Sequence, residues 1–525
     1  MKEVFTALIS ENSSWKSNFE RMWRFMKKSI SLLMTVFLCV SVILVSCSGG
    51  GDGAETTSGN SKTADETAQA DESAETETAA YDAHLPDMDF EGADIRILNM
   101  NEEDMWWTLT IACPESETGE VINDAVYTRN RMVEEKYNLN LTETKTAAGS
   151  IVSAVTNSVK ADSDDYDIIL PFSYNIGTLS TQGMLYDLTK LQYIDFDNPW
   201  WGTSVKDFSI AGKVYFAISD FLLSDKENVS ILMYNKKVAD DLSFLTDAEL
   251  YDLVNSGGWV WDKFIDMIKA VSADLNGNGT YDLEDRYGLM TADYWAYPAM
   301  MSVAGQQYVT KNSDDIPVFT ANNEKFISVF GKIMELMNDR NYVTRQYIEF
   351  DTSYDHVEWG AMFTGDKALF CNEVLSCVRL YKEMESDFAV VPMPKFDAAQ
   401  DKYYSYSVWA TCIGMPVTAR DPDKVALVLD ALSSLSRQLV IPAYYEVAIA
   451  VKYFRDDMSF KMLDIILENQ ITDVLHLVYD WGGFDSTFKN SASQGKTDII
   501  SLIESNESKI NTAIQKTVDA YRELP

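Results

Sequence analysis

Between Ala93 and Leu170 the chain alternates extended and helical signals, and that alternation restricts its fold more than any other feature. Ala93-Asp94-Ile95-Arg96-Ile97-Leu98 reads as a strand, and Ile122, Val126, Val133 and Tyr137 fall on one face of a helix. Asn138 to Thr142 is again a strand, Ile151 to Val159 a helix, and Tyr166 to Leu170 an apolar strand. A βαβαβ order predicts an α/β lobe with a largely parallel sheet, whose ligands bind in loops beyond the carboxyl ends of the strands. The loops to inspect are therefore Asn101 to Trp107 and Phe172 to Asn175.

Past Gly212, Lys213 to Ile218 and Val229 to Lys237 read as strands that open a second lobe. The remainder is mainly helical. Trp261, Phe264, Ile265, Ile268 and Val271 make one apolar stripe, and Phe326, Val329, Phe330, Ile333, Met334 and Met337 make another. Such stripes are core-facing more often than binding surfaces. No internal repeat with a period of about 20 to 50 residues is present.

Ahead of this body, Met26-Lys27-Lys28 precedes a 16-residue apolar run from Ile30 to Val45, followed by Ser46-Cys47. The lysines hold the leading end on the cytoplasmic side, and the run is short against the ~20 residues a stable membrane helix needs. Small Ser46 before Cys47 suits cleavage, so residues 1–47 are expected to be a signal peptide with a lipobox, leaving Cys47 as the lipidated first residue. An uncleaved membrane anchor is the alternative, and translation from Met22 or Met26 is an alternative start. Residues 48–80 hold eight Asp or Glu, one Lys and no large apolar or aromatic side chain. Such a stretch buries too little surface to offset its ordering entropy, so 48–86 is expected to be a disordered acidic tether on the outer face of the cytoplasmic membrane.

The chain is 46% hydrophobic and 12% aromatic, which suits well-filled cores, and its net charge of −38 repels nucleic acid and anionic lipid while favouring neutral ligands or cations. Membrane contact is then expected through the lipid alone. Beyond Cys39 and Cys47, the cysteines Cys113, Cys371, Cys377 and Cys412 form no CxxC pair; Cys371 and Cys377 either bridge or stay as small buried thiols. Only His84, His356 and His476 are available, which leaves little material for histidine-based metal sites or catalysis. No nucleophile elbow, phosphate loop or zinc motif occurs. With 81 acidic residues, carboxylate pairs at any given spacing are uninformative, so a secreted glycoside hydrolase is the enzymatic alternative to a chain without catalytic activity.

Asp274 to Asp285 fits the spacing of a twelve-residue calcium loop. Asp274, Asn276, Asn278 and Asp282 supply oxygens at positions 1, 3, 5 and 9, Gly279 sits at the sharp turn, and Thr280 offers its backbone carbonyl. Position 12 is Asp285, shorter than the usual Glu, which predicts a weak structural Ca²⁺ site. A metal-free Asn-Gly turn is the alternative.

Five segments together resemble the extracellular solute-binding proteins of the maltodextrin-binding type, which serve ABC importers. They are Tyr127 to Tyr137 (YTRNRMVEEKY), Tyr166 to Ile169 (YDII), Leu232 to Lys237 (LMYNKK), Gly365 to Phe370 (GDKALF) and Val390 to Lys395 (VVPMPK). The resemblance implies an α/β, two-lobed periplasmic-binding-protein fold of type II, with hinged lobes around a central cleft. Lobe 1 would comprise 87–211 and 386–440, and lobe 2 would comprise 212–385 and 441–525. It further implies a monomer that captures a carbohydrate and delivers it to ABC permease subunits; a peptide or other small solute is the alternative ligand. The family's ligand contacts carry over to Asn101 and Trp106, to Phe172 and Tyr174, to Tyr294, Trp295 and Tyr297 before Pro298, and to Asn372 and Glu373. Two further candidates come from the residues themselves. Trp409 lies in an apolar, strand-like run with a core reading of equal weight, and Asp220 either reaches the cleft near the hinge or lies on the surface. Flat aromatics for the apolar face of a sugar, with Asn, Asp or Glu for its hydroxyls, are the residue types such a cleft needs.

Overall fold

The alternation predicted for residues 93–170 is realised as a parallel sheet in which β1 (Ala93–Met100) lies between β2 (Leu139–Thr146) and β3 (Ile168–Ile169). Ala93 is in register with Leu139 and Ile97 with Ile168. The computed structural model describes residues 85–105, 108–202, 205–346, 356–445 and 457–525, all of them in the second of two compact units, Asp71–Pro525. Cys47, the tether up to residue 84 and Trp106 lie outside the described residues.

The crossovers are α1 (Val121–Tyr137) and α2 (Ile151–Lys160), and α3 (Ser173–Thr181) follows β3. α1 ends at Asn138, whose left-handed backbone (φ 49°, ψ 61°) returns its N–H to the Glu134 carbonyl and turns the chain into β2. Because side chains alternate along a strand, Ile95 and Ile97 enter one core while Leu98 and Met100 enter another on the opposite face. The sheet then continues through chain-distant pieces, since Ile169 bridges Gly414, Ile413 bridges Ala217, and Ser219 bridges Trp201. An added Cβ on Gly414 would lie 3.2 to 3.4 Å from the side chains of Ile176, Ile169 and Leu185, so that segment packs tightly against them.

The larger sheet runs β10-β4-β9-β5-β8: β4 (Ser230–Asn235), β5 (Tyr287–Thr291), β8 (Val343–Arg345), β9 (Ala368–Val374) and β10 (Phe388–Val391). Every residue of β4, β5 and β9 is buried, as expected of strands covered on both faces. Helix α4 (Trp261–Val271) lies on β5 through its predicted stripe, so close that a Cβ on Gly288 would sit 2.3 Å from the Ile268 carbonyl oxygen. The second predicted stripe is the buried face of α5 (Glu324–Met337). Two small pairs complete the strands: β6 (Val309–Lys311) antiparallel to β7 (Pro317–Phe319), and β11 (Ser405–Tyr406) parallel to β12 (Gln470–Ile471).

Helix α6 (Pro422–Pro442) has the length and hydropathy of a membrane span, but thirteen of its residues are buried and it packs along α1. Arg129 joins these two helices to the chain leaving the smaller sheet. Fully buried, its guanidinium donates to the carbonyls of Phe221 (2.9 Å) and Ala112 (3.1 Å) and to Ser436 Oγ (2.9 Å), and burial lowers its pKa to about 10. The last helices, α7 (Asp457–Glu468), α8 (Phe484–Ser493) and α9 (Ile499–Glu523), follow. α7 covers β10.

Two expected boundaries move. Phe388–Val391, assigned with 386–440 to the first lobe, hydrogen-bonds antiparallel to β4 in the larger sheet. Lys213 to Ile218, expected to open the second lobe as a strand, makes only isolated bridges, and Val214 and Ala217 share a core with Ile97, Val133 and Leu432. Cys371 and Cys377 are free, buried thiols.

Candidate functional site

The carboxyl ends of β1, β2 and β3 are tied into one rim. Asn101 N–H donates to the Thr146 carbonyl at 2.9 Å, Ala148 N–H to Asp104 Oδ2 at 3.0 Å, and Asn175 Nδ2 to the Ala148 carbonyl at 3.3 Å. Beyond β3, Phe172 pairs with Thr411 across an antiparallel bridge and Ser173 N–H donates to the Ala410 carbonyl at 2.9 Å. The segment carrying Trp409 is thereby fixed beside Phe172 and Tyr174, whose own rings lie 5.0 Å apart. Phe172 is buried while Tyr174 is 56% exposed. From the larger sheet, Trp295 follows the carboxyl end of β5 and reaches Trp409 edge-on, with centroids 6.4 Å apart. Trp295 therefore meets Trp409, which lies on the segment whose backbone pairs with Phe172 and Ser173.

Tyr294 carries the Lys489 ammonium over its ring at 4.4 Å. Lys489 is itself held by Asp485 at 2.5 Å, and Asp485 meets His476 Nδ1 at 2.6 Å. Burial would raise the Asp485 carboxyl, but His476 and Lys489 overcome it and hold the group below the ordinary carboxylate value. Tyr297 is fully buried and accepts from Arg345, whose guanidinium also stands 3.6 Å from Asp293. Burial raises the Asp293 carboxyl against the opposing charge of Arg345.

Other predicted residues lie elsewhere. Asn372 and Glu373 belong to the interior of β9. Asn372 Nδ2 donates to Ser230 Oγ (3.0 Å) and the Ile231 carbonyl (2.9 Å), and Glu373 accepts from Tyr381 at 3.4 Å; each is 1% exposed. Tyr297 is likewise interior. Asp220 is 3% exposed, which takes it off the open surface. It is paired with Lys226 (2.7 Å) and Arg437 (3.0 Å) in a separate cavity of about 700 Å³ that none of Phe172, Tyr174, Trp295 or Trp409 lines.

The sequence reading missed the polar groups on the crossing segments. Ser173 Oγ, Asn228 Oδ1 and Thr411 Oγ1 are buried without a hydrogen-bond partner among the described residues. Glu227, buried beside Asn228, accepts from Thr108 Oγ1 at 2.8 Å and from Leu109 N–H, tying the loop after β1 to the crossing chain. The available signal was the polar run Ser224 to Asn228 set between apolar Phe221 to Leu223 and the strand from Val229.

The loop from Asp274 to Asp285 is closed by the Ala273–Arg286 bridge, with Gly277 and Gly279 at φ 69° and 83°. Its potential donors are all oxygens, the hard-ligand chemistry of calcium. They do not converge here, and among the described residues no three His, Cys, Asp or Glu are placed to hold a metal ion. Asp274 instead accepts from Gly277 and Gly279 N–H (2.7 and 2.8 Å), Asp285 from Leu275 and Asp282 N–H (2.8 Å each), and Asn276 and Asn278 turn their amide nitrogens to Asp282.

The sequence family described as bacterial extracellular solute-binding protein matches residues 130–432. No curated protein matches the sequence. Similar solved structures include UspC from M. tuberculosis (14% identity, TM-score 0.52, covering 80% of this chain and 100% of that one). Another is a sugar transporter from Rhizobium etli in an open conformation (12%, 0.52, 82% and 100%). A third is a cyclo/maltodextrin-binding protein complexed with maltotetraose (11%, 0.50, 82% and 96%). At these identities the likeness establishes the fold: α/β, two-lobed, of the periplasmic-binding-protein type.

Proposed function

The chain belongs to the bacterial extracellular solute-binding proteins, which places it outside the cytoplasm, and from that premise we propose that it captures a carbohydrate, an oligosaccharide in particular, without converting it. The observation that carries this reading is the meeting of Trp295 and Trp409 beside Tyr174 at the carboxyl ends of both sheets. The exposed Tyr174 and the partly exposed Trp409 offer ring surface to the apolar face of a sugar, while the buried Trp295 backs Trp409. Buried polar atoms without partners, at Ser173, Asn228 and Thr411, are costly unless a hydroxyl or water meets them, at ~1 to 3 kcal/mol each. The solved relatives with a bound or named sugar agree with this chemistry.

In the same reading Cys47 carries the lipid, residues 48–86 form the tether, and the folded body works as a monomer delivering its ligand to ABC permease subunits. Ca²⁺ would be held by Asp274, Asn276, Asn278, the Thr280 carbonyl, Asp282 and Asp285, and its charge would lock the loop between α4 and β5. Binding requires the exposed Asn276 and Asn278 to rotate their amide oxygens inward.

A thermal-shift panel of oligosaccharides, peptides and metal chelates tests the proposal. A ligand present at 100 times its Kd adds ~2.7 kcal/mol of stability, which is readily seen. Stabilisation by an oligosaccharide alone is the expected result. Stabilisation by peptides with none from saccharides, or release of reducing ends from an oligosaccharide, would overturn it.

A further inference from the structure

The single helical turn Ser224–Glu227, on the chain that leads from the smaller sheet into β4, holds two parts of the aromatic site at once. Ser224 Oγ accepts from Thr411 N–H at 2.9 Å, and the Asn228 carbonyl accepts from Val408 N–H at 3.0 Å. Trp409 is therefore pinned on either side by the two ends of one turn. The same turn grips the chain that leaves the loop after β1. Glu227 Oε2 accepts from Thr108 Oγ1 at 2.8 Å and from Leu109 N–H, and Asn228 Nδ2 lies 3.4 Å from Thr108 Oγ1.

Glu227 is 1% exposed, so it is placed to act on the loop and not on a solute. Taking a carboxylate out of water is costly unless donors answer it. Burial raises the Glu227 carboxyl, and Leu109 N–H, the charge of Arg379 and the Thr108 hydroxyl oppose that rise. Two of those groups belong to the end of the loop. Elsewhere the loop is fastened within its own sheet, Asn101 N–H donating to the Thr146 carbonyl at 2.9 Å and Asn99 Nδ2 to the Thr110 carbonyl at 2.7 Å. Those ties fix the loop relative to β1 and β2, whereas Glu227 fixes it relative to the turn that carries Trp409.

We propose that Glu227 is a positioning residue for carbohydrate capture: as a hydrogen-bond acceptor it holds the end of the loop after β1 at a set spacing from Trp409, without itself touching the saccharide. The proposal rests on the carbohydrate reading of the site. A loop ordered before the solute arrives spares binding the entropy of ordering it, and that saving appears as affinity.

Hydrogen–deuterium exchange of the full chain, read at the loop after β1 and at β2, is the test, joined to calorimetric titration of maltotetraose, cellotetraose and xylotetraose. Glu227→Ala should speed exchange of the Leu109 amide about ten-fold or more while β2 keeps its protection. It should also weaken a saccharide that the wild type binds by about ten-fold or more. Glu227→Gln, whose amide oxygen can accept from the same two donors, should recover most of both. Thr108→Val removes one donor at nearly constant volume and should give an intermediate result, which decides the matter even where Glu227→Ala does not fold. Unchanged exchange at Leu109 in these variants would overturn the proposal, as would affinity lost equally in the Ala and Gln variants, the latter by showing that the charge itself meets the saccharide. Absence of binding by the wild type to every saccharide tested counts against the carbohydrate reading, and the exchange result decides the role of Glu227 in either case.

Discussion

Trp409 meets Trp295 edge-on, the ring centroids 6.4 Å apart and the planes inclined by 64°, one residue on a crossing segment and the other beyond β5. The contact joins the two halves of the aromatic site. Edge-to-face pairs contribute ~0.5 to 1.5 kcal/mol beyond their buried area, so each ring positions the other.

Trp409→Ala should therefore weaken carbohydrate binding by about 2 kcal/mol, roughly thirty-fold in Kd. Because Trp409 is only partly buried, the thermal midpoint should fall little. Calorimetry and a melting curve on the same variant separate the two effects, and an unchanged Kd would remove Trp409 from the site.

A second relationship concerns stability. One oxygen of Asp430, buried in α6, accepts from Trp200 Nε1 at 2.8 Å and from Trp201 Nε1 at 2.9 Å. Asp430→Ala strands two buried donors, at ~1 to 3 kcal/mol each. Urea unfolding should show a loss of several kcal/mol, with Asp430→Asn recovering part of it through its amide oxygen.

For the Asp274–Asp285 loop, added calcium should raise the unfolding temperature and EDTA should reverse the gain. Asp282→Asn should abolish the calcium-dependent increment. Equal melting curves with calcium and with EDTA would identify the loop as a metal-free turn.

Asp485 sets a pH dependence. Its carboxyl is held below the ordinary value in the folded chain, so its contribution is complete above the unfolded value of ~3.9 and is lost as pH falls through the folded one. Wild type should lose stability steeply below about pH 4. Asp485→Asn should start less stable at pH 7, because Lys489 loses its counter-ion, and should show a shallower acid limb. Parallel limbs would show that other carboxylates dominate.

Local periodicity was enough to read β1, α1, β2, α2, α4 and α5, whose strand and helix patterns survive almost unchanged. The aromatic meeting point was partly readable, through Phe172, Tyr174, Trp295 and Trp409. Asn372 and Glu373 came from the family's ligand contacts, and in this chain both side chains are satisfied inside β9. Ser230, the partner of Asn372, lies on β4 and only the folded sheet brings it near, while Tyr381 reaches Glu373 from the turn of chain that directly follows β9. Asp220 failed for a similar reason: Lys226 and Arg437 reach it from different elements, and no linear pattern encodes that pairing.

The smaller sheet is extended only by isolated bridges through Gly414, Ile413 and Ala217, and β4 of the larger one gains its outer partner only with Phe388–Val391. Neither half is therefore complete at any early stage of synthesis. A growing chain lacks the Ile413 edge until most of the polypeptide has emerged, and pairings that span so many residues form slowly.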